Sequence, residues 1–141
     1  MTLHKYDPKD VKVTFGPALI MGFGPDTFVS IEYSNDAFAM AVGADGEVVR
    51  SKSNDQSAVV TLTLMAGSSG NAVLSAALNA DVAEGLGVFP LAIVDLSTGT
   101  THFGKEAWVV KDPKTDYAKE SQPKEWRLAV AKMQSGHGVA L

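Results

Sequence analysis

The segment Ala58-Val-Val-Thr-Leu-Thr-Leu64 constrains this chain more than any other. Ala58, Val60, Leu62 and Leu64 fall on one side of an extended backbone. Ser57, Thr61 and Thr63 fall on the other, with Val59 as the one apolar exception. A period of two with a polar second face predicts a strand buried on one side only. Such a strand needs a packed layer over its apolar face and leaves a polar wall free to meet something else. Directly behind it, Gly67-Ser-Ser-Gly-Asn71 opens a helix. Leu74 and Leu78 lie four apart, as do Val73 and Ala77, which predicts a short helix over Ala72–Asn79 with one stripe facing the body. Ser68 or Ser69 is placed to cap it. The simplest role for this helix is to plug one open end of a barrel.

The same alternation recurs along the chain. Val11, Val13 and Phe15 predict a first strand, and Ala18 to Phe23 a second apolar run. Gly24-Pro25-Asp26 is a turn. Val29, Ile31 and Tyr33 share one face of the next strand, opposite Ser30, Glu32 and Ser34. Phe38, Met40 and Val42 read as another core face. Behind them Ala37, Ala39 and Ala41 form a row thin enough for a neighbouring surface to approach. Gly43-Ala-Asp45-Gly46 is the strongest hairpin signal. Arg50 to Ser57 is polar and carries both charges; as residues alone it reads as a solvated loop or a contact surface. Asp81 to Gly87 reads as a loop. Val88 to Leu96 is nearly all apolar, and Pro90 within it predicts an edge position or a bulge. In Thr100 to Lys111, Trp108 and Val110 share a face. Trp126, Leu128 and Val130 alternate in a last strand, and both tryptophans are expected in the core. About eight strands with one helix predict an all-β sandwich or barrel in a single domain, 1–141. Residues 1–10 read as an arm anchored by Tyr6, and 134–141 as a flexible tail.

Composition removes several function classes. The 45% hydrophobic content allows a core, and no apolar run reaches membrane-spanning length. The opening Met1-Thr-Leu-His-Lys-Tyr-Asp-Pro holds no apolar stretch of signal-peptide type. With no cysteine there are no disulfides and no thiolate metal sites. The formal net charge is −4 and the basic residues are scattered, so no surface for holding a nucleic-acid backbone is concentrated anywhere. His4, His102 and His137 are far apart, none with a partner at metal spacing. Gly67-Ser-Ser-Gly70 lacks the lysine of a phosphate loop, and Gly22-Phe-Gly24 lacks the third glycine of a dinucleotide fingerprint. No catalytic residue, cofactor or metal is expected.

Asn35 to Asp55, followed by the Thr-Leu-Thr-Leu strand and the helix start with Leu74-Ser75, resembles the central signature of tail tube proteins from contractile-tailed bacteriophages. The likeness extends over about Val13 to Met133. It implies a small β-sandwich or barrel with one helix, assembled as hexameric rings stacked into a hollow tail tube through which DNA is delivered. It implies partners of its own kind, together with tail sheath, baseplate and terminator proteins. It also implies DNA passing without specific binding, no membrane, synthesis in the host cytoplasm and residence in the virion. In such a tube Ser30, Glu32, Ser57, Thr61 and Thr63 would line the lumen. Glu47, Arg50, Lys52, Asn54 and Asp55 would contact a neighbouring subunit or ring. Two other readings stay open: a tube protein of a secretion or contractile-injection system, and a small ligand-binding β-barrel.

Overall fold

The computed structural model describes Leu3 and residues 5–138. Asp7 caps a 3-10 turn, Pro8–Asp10, which leads into β1, Val11–Phe15. There follow β2 (Ala18–Ile20), β3 (Val29–Tyr33), β4 (Phe38–Val42), β5 (Val48–Lys52) and β6 (Ala58–Leu64). After them come the helix α1 (Ser69–Glu84), β7 (Phe89–Asp95), β8 (Thr100–Lys111), β9 (Lys124–Val130) and β10 (Met133–Gly136).

Eight strands form one antiparallel sheet in the order β2-β1-β7-β8-β9-β6-β3, with β10 pairing β8 beside β9. Only β4 and β5 stand apart, as a two-stranded sheet of their own. The strands of the large sheet turn apolar residues into a single core, alternate ones along β1, β6, β7 and β9, Met133 alone from β10 and the half-buried Val29 and Ile31 from β3. Along β6, Ala58, Val60, Leu62 and Leu64 are at most 1% exposed, while Val59, Thr61 and Thr63 are half-buried. Trp126, Leu128 and Val130 of β9 face the same core. The chain after β2 bridges back to β6 through Phe23 and Leu64, so the two ends of the strand order meet at that corner. Gly24 donates its N–H to the Thr63 carbonyl at 2.9 Å there. Away from this corner β3 and β1 are not paired, and the sheet stays open along a seam.

The helix is longer than its apolar stripe predicts. Leu74, Ala77 and Leu78 are buried against the sheet, whereas Val82, four residues on from Leu78, is 80% exposed and packs on nothing in the core. Capping sets the ends instead. Ser68 Oγ accepts the Gly70 N–H at 3.1 Å and donates to the Met21 carbonyl. Gly85 ends the helix at φ 71°, a left-handed conformation that suits glycine. Asn71, in the first turn, accepts the indole N–H of buried Trp126 at 2.8 Å. Pro90 lies where β7 and β8 slip register between Phe89 and Leu91, so the missing N–H falls at a bulge.

Several expectations are corrected. Ten strands are present among the described residues: Val48–Lys52 is a paired strand, so Arg50 to Lys52 do not belong to the loop expected over Arg50 to Ser57, and Met133–Gly136 is a paired strand where a flexible tail is expected from residue 134. Phe38, Met40 and Val42 are 47%, 71% and 60% exposed and join no core, since the hairpin carrying them projects from the body. Trp108 lies opposite Ala129 on the outer face, half-buried, because Ala107 and Val109 take the core side of β8. Tyr6 is 65% exposed and anchors nothing within the core.

Candidate functional site

Two surfaces collect the residues singled out by the sequence. The first is the outer face of β3, β6 and β9. In an antiparallel pair, residues directly opposite share a face. Ser30 lies opposite Thr61, and Thr61 opposite Arg127. Glu32 lies opposite Val59, and Thr63 opposite Glu125. Ser30, Glu32, Thr61 and Thr63 therefore form one wall. Ser57 stands just before β6 and donates its hydroxyl to Ser34 Oγ at 3.0 Å. The sequence reading missed Arg127 and Glu125. Each alternates correctly in its own strand, but only the register of β6 with β9 sets both beside the threonines. The wall thus carries charges of both signs, Glu32 and Glu125 against Arg127.

The second surface is the hairpin. Gly46, at φ 90°, closes the turn, and the Glu47 N–H reaches Asp45 Oδ1 at 3.1 Å. The register places Met40 opposite Arg50, Phe38 opposite Lys52 and Val42 opposite Val48. One face is therefore apolar toward the tip and cationic toward the base. The other face is thin: Ala39 and Ala41 with Val49 and Ser51. The Arg50 guanidinium lies 4.3 Å from the Phe38 ring centre, a cation–π contact. Among the described residues neither Glu47, Arg50, Lys52 nor Asp55 forms an ion pair; the one pair is Lys114–Asp116. A set of short polar contacts ties the base. Asp55 accepts from the Asn35 amide and from the Ser57 N–H, and Ser53 Oγ accepts the Asp55 N–H at 3.3 Å. Hydrogen bonding from Ser57, with a smaller part from Asn35, holds the Asp55 carboxyl below its ordinary range. Asn54 is exposed beside this set. So Arg50 and Lys52 are strand residues with fixed directions, while Asn54 and Asp55 belong to the base.

The fold also joins two histidines that the sequence keeps apart. The rings of His102 and His137 meet edge to face with centres 5.4 Å apart. His102 Nδ1 and the Tyr33 hydroxyl each lie 2.6 Å from Ser135 Oγ. Through Ser135 this cluster ties β10 to both β8 and β3. Burial, and then the neighbouring His137, lower the His102 pKa. His4 lies outside the described residues. Among those residues no group of three or more potential metal ligands converges.

Known proteins are similar to this chain in sequence and in fold. The family model of the Bacteriophage PhiTE tail tube protein matches residues 14–138. "Structural protein ORF10" of Pseudomonas phage KPP10 is 27% identical over 146 residues, covering 94% of this chain and 82% of that protein. Among solved structures, the tube-terminating cap of the anti-feeding prophage superposes with a TM-score of 0.65 at 13% identity, over 98% of this chain and 95% of the other. The sheath/tube terminator of the PVC extracellular contractile injection system gives 0.65 at 15% identity, over 96% and 99%. A chain of the PVC sheath-tube complex gives 0.61 at 16% identity, over 94% and 92%. At these identities the structural matches establish the fold. The match of the family model over nearly the whole sequence establishes more: the chain belongs to the Bacteriophage PhiTE tail tube protein family, structural and not enzymatic proteins of the phage tail.

Proposed function

We propose that this chain assembles with copies of itself into hexameric rings that stack into the inner tube of a contractile tail. The observation that carries the reading is the hairpin. Two strands alone are marginal in water, yet β4 and β5 pair only with each other and expose Phe38, Met40, Val42, Val48 and Val49. An apolar surface of this kind marks a contact with another molecule. In the assembled tube Glu47, Arg50 and Lys52 reach the neighbouring subunit or ring, with Asn54 and Asp55 at the hinge beneath them. The outer wall of Ser30, Glu32, Ser57, Thr61 and Thr63 faces the lumen. Its mixed charge supports passage of DNA without retention, since phosphate affinity grows with unbalanced Lys and Arg. Sheath, baseplate and terminator proteins complete the assembly around and at the ends of the tube. The solved relatives from injection systems share the fold, and the family match favours a phage tail over an injection device.

Electron microscopy of purified protein tests this directly, with and without baseplate components as initiators. Rings with six-fold symmetry, or tubes, are expected. Sedimentation showing only monomer across a wide concentration range, with no tubes after long incubation, would overturn it.

A further inference from the structure

The seam left open between β3 and β1 carries two adjoining clefts, on the same molecule that carries the unpartnered hairpin. Its wider end encloses ≈ 560 Å³ between Val11, Val29, Ile31 and Ile93. Its narrower end, ≈ 360 Å³, runs past Leu19, Met21 and Phe23. Pro8, Val11 and Phe28 line both clefts. Val11, Phe23, Val29 and Ile31 are only partly buried, so the floor is apolar and incompletely covered. Charge differs between the ends. Asp26 and Asp95 stand at the wide end, Lys9 and Lys12 at the narrow one.

The hairpin carries the complementary order. Its base presents Phe38 and Lys52, its middle Met40 and Arg50, and its tip the Val42–Val48 pair with Asp45 and Glu47 in and beside the turn. Each strand of the hairpin and β3 along the groove run five residues, about 17 Å. Resting on the reading of the chain as a self-assembling subunit, we infer that the seam of one copy receives the Phe38–Met40–Val42 face of a neighbour's hairpin. The hairpin lies with Arg50 and Lys52 toward Asp26 and Asp95, and its acidic tip toward Lys9 and Lys12. The contact is head-to-tail: groove and hairpin are different surfaces, so each copy gives one and receives one, and the interaction propagates through an assembly. It also covers two apolar surfaces that neither molecule covers alone.

The absence of cysteine makes a cross-linking test clean. Val42→Cys and Met21→Cys chains are mixed, assembled and oxidised. A disulfide joining the two different chains is expected. None is expected from Val42→Cys alone, nor when Val82→Cys on α1 replaces Met21→Cys. A charge exchange gives a second readout that does not depend on disulfide geometry. Lys52→Glu and Asp26→Lys should each raise the concentration needed for assembly severalfold, and the double variant should return it toward wild type. Tubes that form without the Val42–Met21 link, and whose double variant is as impaired as the two singles combined, overturn this contact and leave the tube reading intact. Wild-type protein that stays monomeric overturns both.

Discussion

Strand β6 and strand β4 are written in the same code and meet opposite fates. Both alternate apolar residues with small or polar ones. In β6 the apolar set is buried to 1% or less; in β4 every residue is exposed. Alternation reports that a face is suited to burial. It does not report what buries it. For β6 the cover lies in the same chain, in α1 and the facing strands, and for β4 no described residue of the chain supplies it. A core pattern without a core is therefore a statement about a second molecule.

The largest effect that can break this comparison is a lysine placed in each strand. Leu62→Lys puts an unpaired charge into the core and should cost about 4 kcal/mol or more, leaving no soluble folded monomer. Met40→Lys changes an exposed position and should shift monomer stability by no more than about 0.5 kcal/mol, while abolishing tubes. Chemical denaturation of both variants, with micrographs of the second, checks the contrast. Equal stability losses would mean that the hairpin packs on its own body in solution.

The next effect sits where helix and sheet are tied. Asn71 accepts from the Trp126 indole and donates to the Met65 and Ala66 carbonyls at 2.9 and 3.2 Å. Asn71→Ala leaves a buried donor unpaired and should cost about 1–3 kcal/mol in the denaturation midpoint. Ser53→Ala, at the hairpin base, loses one exposed contact to the Asp55 N–H and should barely move it.

Charge reversal separates the two regions without touching either core. Arg50→Glu with Lys52→Glu should leave the monomer's melting temperature nearly unchanged and shorten or abolish tubes. Exposed pairs contribute only about 0–1 kcal/mol each, but they recur at every copy of the contact. Hydrogen exchange sharpens the point. Amides of residues 38–52 should gain protection on assembly, whereas those of β6 should be protected in both states. Equal protection of the hairpin in monomer and tube would remove it from the interface.

The body was legible in the sequence because local signals and tertiary outcome agree there. The faces of β6 and β9, the hairpin turn at Gly46, the bulge at Pro90 and the cap at Ser68 all follow from residues within a few positions of each other. What was not legible depended on register. Nothing in Arg127 or Glu125 alone places them beside Thr61 and Thr63; the pairing of β6 with β9 does. Arg50 to Lys52 read as the start of a polar loop because their partner strand, not their own composition, holds them extended. Met133–Gly136 has too little apolar content to announce a strand, and is held by β8 and by Ser135 between His102 and Tyr33.

That last contact yields the smallest expected effect, and one confined to the body. His102 is partly buried and faces His137, and both conditions disfavour its charged form, so its folded pKa lies below the ordinary 6.5. The unfolded chain therefore binds a proton more readily than the folded one. Stability from this residue is fully present above pH 6.5 and declines as pH falls through that value toward the folded pKa. Denaturation of the monomer at pH 7.5 and 5.5 should show the loss at the lower pH, and His102→Gln should flatten it. His137→Ala should move the His102 titration, followed by NMR of its ring protons, upward toward 6.5 without erasing the shift, because burial is the larger cause and remains. The hairpin carries no histidine, so its exchange behaviour in the monomer should not follow this titration. A hairpin that opened in step with His102 would show that β10 and the hairpin base, which flank a common cleft between Tyr33, Asp55 and Ser135, move as one unit and not as two.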